Sequence, residues 1–181
     1  MKQKLLILLF ISIHCFAQNS SFPSDSVHSI VNRIQLPQIP VYRILVTTLG
    51  AKGDSITDVK SAFDQAMSLC KKNKGGTIVV PKGVYVLNGP IHFVSNVNLL
   101  IEKDAKIRFS DNPKYYLPMV QTSWEGTMIY NYSPLIYAYN CKDIAISGEG
   151  TIDGEGSKIW NSFKAKEGPD KMLTREMNHS N

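Results

Sequence analysis

Between residues 76 and 154 one short phrase of strand, turn and strand recurs three times, and this repeat narrows the chain to few folds. Thr77–Val86 can be laid on Asn98–Ile107 at an offset of 21, and that second copy on Asp143–Ile152 at a further 45, about two periods. Each copy carries an apolar pair two residues apart: Ile78/Val80, Leu99/Ile101 and Ile144/Ile146. Each pair leads into a turn built on Pro81-Lys82-Gly83, Lys103-Asp104 or Gly148-Glu149-Gly150, and then into another short strand. A period of roughly 20 to 25 residues made of strands and turns specifies a β-solenoid, because one unit cannot bury its inner face alone. Three separate hairpins of a sandwich are the alternative.

A helix precedes the repeat. Thr57 is placed to cap it, Asp58 suits its first turn, and Val59, Ala62, Phe63, Ala66 and Cys70 recur at helical spacing. Lys71, Lys72 and Lys74 suit the C-terminal end, and Gly75-Gly76 stops it. Such a helix would cover the open apolar end of the first coil. Before it, Ile44-Leu45-Val46 reads as a strand ending at the Gly50–Asp54 turn.

Residues 1–18 read as a secretory signal peptide: Lys2 and Lys4, an apolar run from Leu5 to Ile13, then Cys15-Phe16-Ala17. That run is short for a bilayer span, so the expectation is an exported, secreted or periplasmic protein with no membrane attachment after cleavage. Residues 19–43 read as an exposed, proline-punctuated leader with a helical turn around Val27–Ile34, and residues 44–181 as the solenoid. Loss of Lys2 and Lys4 lowers the formal charge from +5 to +3, too mild for nucleic acid. Cys70 and Cys141 match no metal-site spacing and read as small thiols, with pairing left open.

Asp111–Tyr132 interrupts the repeat, and insertions of this length are usually functional or packed. Its Trp124, Tyr130 and Tyr132 are the candidate binding residues, because aromatic faces on a loop held by a rigid scaffold suit stacking contacts. Arg108 and Lys114 could meet an anionic ligand but read more readily as solvated charge. Asp153, Glu149 and Glu155 read as turn and surface carboxylates. His92, between Ile91 and Phe93, reads as an outward-facing strand histidine. The solenoid resumes at Leu135–Asn140, and Trp160 and Phe163 are expected to close a coil.

Gly50-Ala51-Lys52-Gly53-Asp54, Thr57-Asp58 and Gly75–Tyr85 resemble the opening of right-handed parallel β-helix pectinases. Trp124-Glu125-Gly126, Asn131–Ala138 and Gly148-x-Gly150-Thr151-Ile152-Asp153-Gly154-x-Gly156 are more discriminating. Over residues 40–163 the chain resembles the N-terminal third of bacterial polygalacturonases of glycoside hydrolase family 28. The resemblance implies an all-β, right-handed parallel β-helix with an N-terminal capping helix. It also implies inverting hydrolysis of α-1,4-galacturonosyl bonds in pectin, with no metal or other cofactor. Inverting hydrolysis needs an acid and a base roughly 6.5–9.5 Å apart. The family supplies these through Asn-Thr-Asp, Asp-Asp and Gly-His-Gly motifs, and binds the substrate carboxylate with Arg-Ile-Lys. None of the four occurs here; Lys106-Ile107-Arg108 has the last in the wrong order. The expectation is therefore a front piece of an enzyme with no catalytic residue of its own. Rhamnogalacturonan- or xylogalacturonan-directed hydrolysis, or a non-catalytic carbohydrate-binding β-helix, are the alternatives.

Overall fold

The structure is a computed structural model that describes residues 24–156. The signal-peptide reading and Trp160 and Phe163 lie outside the described residues. Helix α1 (Ser24–Val31) belongs to a unit ending at Gln35, and residues from Leu36 onward form a second unit. No helix among the described residues is long and apolar enough to cross a membrane.

Among the described residues the second unit is a solenoid of four coils. The first holds β1 (Arg43–Leu45), a 3-10 turn (Val46–Leu49), β2 (Asp54–Asp58) and helix α2 (Lys60–Lys72). The next is β3 (Gly76–Val80), β4 (Gly83–Leu87) and β5 (Ile91–His92). The third has β6 (Val97–Ile101) and β7 (Ala105–Phe109), then an antiparallel hairpin of β8 (Val120–Trp124) and β9 (Thr127–Asn131), then β10 (Ile136–Tyr137). The last described coil is β11 (Ala145–Gly148) and β12 (Thr151–Asp153). All stacking between coils is parallel: β1-β3-β6-β11 on one side, β2-β4-β7-β12 on the second, β5-β10 on the third. This is the right-handed parallel β-helix that the repeat calls for.

The inner columns are apolar because side chains alternate across each strand. Ile44, Ile78, Leu99 and Ile146 lie in register one above another, and Val80 lies beneath Ile101. Tyr85, Ile107 and Ile152 form a second column, with Leu87 beneath Phe109. Ile78, Leu87, Leu99 and Ile107 are fully buried; each such side chain contributes about 2 kcal/mol.

The first offset of 21 holds from Thr77↔Asn98 to Val80↔Ile101, then becomes 22 at Gly83↔Ala105, because the second turn is one residue longer. The third copy differs from the sequence alignment. Asn98 pairs with Ala145, not Asp143, and the offset falls from 47 to 45 only at Lys106↔Thr151. The cause is the tight turn at Gly148-Glu149-Gly150. Gly148 has φ +103°, and a Cβ there would sit 1.9 Å from the Ile101 carbonyl oxygen. Gly150 N–H donates to that same carbonyl at 3.0 Å. A two-residue displacement keeps the same face inward, so the apolar alternation survives while the partners change.

Helix α2 buries Ala62, Phe63, Ala66, Met67 and Cys70 against the coil end, with Val59 just before it. Thr57 is not its cap. It sits in β2, where its hydroxyl donates to Asp54 Oδ2 at 2.7 Å. Asp58 Oδ1 accepts from the Lys60 N–H at 3.0 Å and from Asn88 N–H at 3.1 Å, tying the helix start to the next coil. Two short elements also differ from expectation: β1 gives way to the 3-10 turn at Val46, and the strand expected over Leu135–Asn140 is only Ile136–Tyr137. Residues 38–42 run along the stack, with Gln38 N–H on Asp143 at 3.2 Å and the Tyr42 carbonyl accepting from Thr77 at 2.7 Å.

Gly148→Ala should lower the unfolding free energy by about 2 kcal/mol or more. Gly126→Ala, at φ +83° with nothing within 4 Å of the added Cβ, should cost only about 1 kcal/mol. Urea unfolding midpoints of the two variants test the contrast.

Candidate carbohydrate-binding site

The insertion leaves the coil after β7 and is fastened at its root. Asn112 Oδ1 accepts from Lys114 N–H at 3.1 Å, opening a 3-10 turn over Pro113–Tyr116. Tyr116 is buried, and its hydroxyl donates to the Ser110 carbonyl at 2.6 Å. Burial, with Asp111 adding to it, pushes that phenol up to about 12. Ser133, also buried, donates its N–H to the Tyr116 carbonyl at 2.9 Å as the chain returns.

Ser133 Oγ lies 2.9 Å from His92 Nε2 and 3.1 Å from the Pro134 carbonyl. A hydroxyl has one proton, and the carbonyl can only accept. When Ser133 donates to that carbonyl, the imidazole proton lies on Nε2 and donates to Ser133. His92 cannot then act as a base toward Ser133, and the pair is a fastening rather than a nucleophilic dyad. His92 is exposed on the outer face of β5, as read from the sequence. Desolvation and then Lys60 lower its pKa, opposed by Asp64.

Tyr137 pairs in register with His92 from the coil above, their ring centroids 5.1 Å apart at 54°. Two residues on, the Tyr139 ring is nearly parallel to that of Tyr137, at 5° and 6.2 Å. Both phenols reach the insertion: Tyr137 donates to the Gln121 carbonyl at 2.8 Å, and Tyr139 to Gln121 Oε1 at 3.2 Å. Across the hairpin Gln121 pairs with Tyr130. Desolvation, followed by the neighbouring Tyr139 and Tyr130, raises the Tyr137 pKa. His92, Tyr137, Tyr139, Tyr130 and Gln121 thus form one polar-rimmed aromatic wall.

The structure does not gather Trp124, Tyr130 and Tyr132 on one surface. Ribbon faces alternate, so Trp124 falls on the opposite face from Gln121 and its partner Tyr130. Trp124 is 64% exposed beside the Glu125-Gly126 turn, while Tyr132 lies just past β9. Tyr137, Tyr139 and Gln121 were missed as site residues. Their signal was present: with Ile91 and Phe93 inward, Tyr137 and Tyr139 share the outward parity of His92.

Among the described residues, Asp54 and Asp153 are turn carboxylates rather than an acid–base pair. Asp153 Oδ2 takes the Lys106 ammonium at 2.7 Å, and Oδ1 accepts Glu155 N–H at 3.0 Å. The Lys106 bond and then the Glu155 N–H lower its pKa, as a turn carboxylate requires. Asp54 accepts from Thr57 N–H at 2.8 Å and Ile56 N–H at 3.0 Å, and with the Thr57 hydroxyl falls to about 2. Arg108 donates to the Ser55 carbonyl at 2.7 Å, fastening β2 rather than reaching into the wall. Among the described residues no cluster of three His, Cys, Asp or Glu side chains is placed to hold a metal ion. Cys70 and Cys141 are both free. Desolvation pushes the buried Cys70 thiol up to about 11.

Residues 44–101 match the model of the rhamnogalacturonase A/epimerase, pectate lyase-like family. An exopolygalacturonase of Thermotoga maritima, known by its crystal structure, is 42% identical with a TM-score of 0.67, covering 70% of this chain and 28% of its own. The pectinase resemblance holds. The family 28 exopolygalacturonase of Yersinia enterocolitica is 28% identical with a TM-score of 0.55, over 64% of this chain and 21% of its own. Endo-xylogalacturonan hydrolase A of Aspergillus tubingensis is 30% identical over 131 residues, 70% of this chain. The chain spans 29% of the length of that relative. The chain is a pectinase-type β-helix similar to part of the length of each of these relatives.

Titration by NMR should place Asp54 near 2 and Asp153 below the ordinary carboxylate range. Lowered carboxylate pKa values mean stability that is present above the unfolded value near 3.8 and lost as pH falls through the folded one. His92 works in the same pH direction. With its folded pKa below 6.5, its contribution is lost as pH drops below that unfolded value.

Proposed function

We propose that this chain is the N-terminal scaffold of an exported glycoside hydrolase that cleaves α-1,4-galacturonosyl bonds in pectin by inversion. The observation that carries the reading is the 42% identity with the Thermotoga maritima exopolygalacturonase, combined with the match in fold. The site geometry supports a binding role for this part. Its aromatic wall suits sugar rings, whereas Asp153 and Asp54 are held ionised by turn and ion-pair contacts. An inverting acid needs the opposite environment, one that keeps its proton. In this reading the reacting carboxylates reside on other coils, and Trp124, Tyr130 and Tyr132 belong to the substrate-facing insertion. Xylogalacturonan is the second substrate reading, favoured by the 30% identity with the Aspergillus tubingensis hydrolase.

The protein produced from its natural gene should release reducing ends from polygalacturonate. The polypeptide of residues 19–181, assayed at equal concentration, should release none. Hydrolysis by that polypeptide would relocate the catalytic acids into this chain. Faster release from xylogalacturonan than from polygalacturonate would decide for the second substrate.

A further inference from the structure

We propose that Tyr139, flanked by Tyr130 and backed by Gln121, is a stacking subsite for a pyranose ring of an acidic polysaccharide. The subsite rests on the pectin reading above and assigns residues to it that the sequence motifs do not. Tyr139 is 53% exposed, yet its hydroxyl is held by Gln121 Oε1 at 3.2 Å. The ring is therefore held by a polar bond at its tip and, on one face, by the Tyr137 ring. Tyr137 is oriented by the same residue, through the Gln121 carbonyl at 2.8 Å. The two rings lie within 5° of parallel and are 6.2 Å apart, so together they present a stepped aromatic surface.

A pyranose has an apolar face of C–H groups and a rim of hydroxyls, joined in a uronate by a carboxylate. An aromatic face with polar groups at its edge complements that shape. The Gln121 amide nitrogen supplies two donors suited to a hydroxyl or carboxylate rim. The rings sit on a coil and a hairpin already tied together, so little side-chain freedom is lost on binding. No reacting group takes part, since His92 is committed to Ser133. With no reacting group at the wall, the subsite should change KM and leave kcat alone.

A purely structural role for Tyr139, pinning the hairpin to the coil, would reside in its hydroxyl. Stacking resides in its ring. Steady-state kinetics on polygalacturonate, with the protein from its natural gene, separate the two through Tyr139→Ala and Tyr139→Phe. Tyr139→Ala should raise KM about tenfold with kcat unchanged, while Tyr139→Phe should stay within about twofold of wild type. Equal KM for all three proteins, or equal losses in the Phe and Ala variants with matching falls in melting midpoint, would overturn the subsite. Wild-type protein that neither cleaves polygalacturonate nor is retarded by it in a gel would remove the pectin reading, and this subsite with it. That outcome is distinct because it appears without any substitution.

Discussion

The structure depends on parallel coils stacking in register. Each strand of the first sheet meets its neighbour one coil away, from Arg43↔Thr77 through Thr77↔Asn98 to Asn98↔Ala145. Backbone bonding along that direction satisfies groups that no single coil could satisfy alone. Because side-chain parity is two, the register also decides what the interior contains. Turn length can change between coils only if an even displacement accumulates, or if the turn absorbs an odd one. The solenoid uses both routes. The Glu102-Lys103-Asp104 turn takes up one extra residue between strands, whereas the Gly148–Gly150 turn returns two.

The same stacking decides where an insertion can be held firmly. The third side offers only two-residue strands, β5 and β10, so little backbone pairing is available there. Side chains make up the difference. Ser133 bonds to both the Tyr116 carbonyl and His92, and Gln121 takes both tyrosine hydroxyls. The anchoring groups are consequently the same ones that form the wall. This surface is held because the polar ends of its side chains are engaged, which is what the proposed binding role would require.

Much of this was legible in the sequence, for identifiable reasons. Ile78/Val80 and Leu99/Ile101 carry period-two alternation, and alternation survives any even error in register. That is why the solenoid was readable although Asp143 was set against Asn98 two residues too early. Val59, Ala62, Phe63, Ala66 and Cys70 marked the buried face of α2 correctly, because helical periodicity reports burial directly. Thr57 misled because its hydroxyl can serve a turn as readily as a helix start. Its hydroxyl went to Asp54, and Asp58 took the helix start instead. The aromatic site was less legible. Composition drew attention to Trp124, Tyr130 and Tyr132 together, but only pairing across the hairpin reveals that Trp124 and Tyr130 face opposite ways.

The electrostatics of this part also limit which chemistry it can host. A general acid at a glycosidic oxygen must keep its proton at working pH, which calls for desolvation or a like charge nearby. Asp54 and Asp153 both move down. Each is stabilised in its ionised form by turn N–H groups, and Asp153 by Lys106 as well. Such groups secure turns between successive strands, a task every coil of a solenoid shares. Proton donation would demand the removal of those very bonds. A β-helix can therefore separate its duties along its axis: coils with satisfied turns give rigidity, whereas a coil that leaves a carboxyl group unsatisfied can host a proton donor.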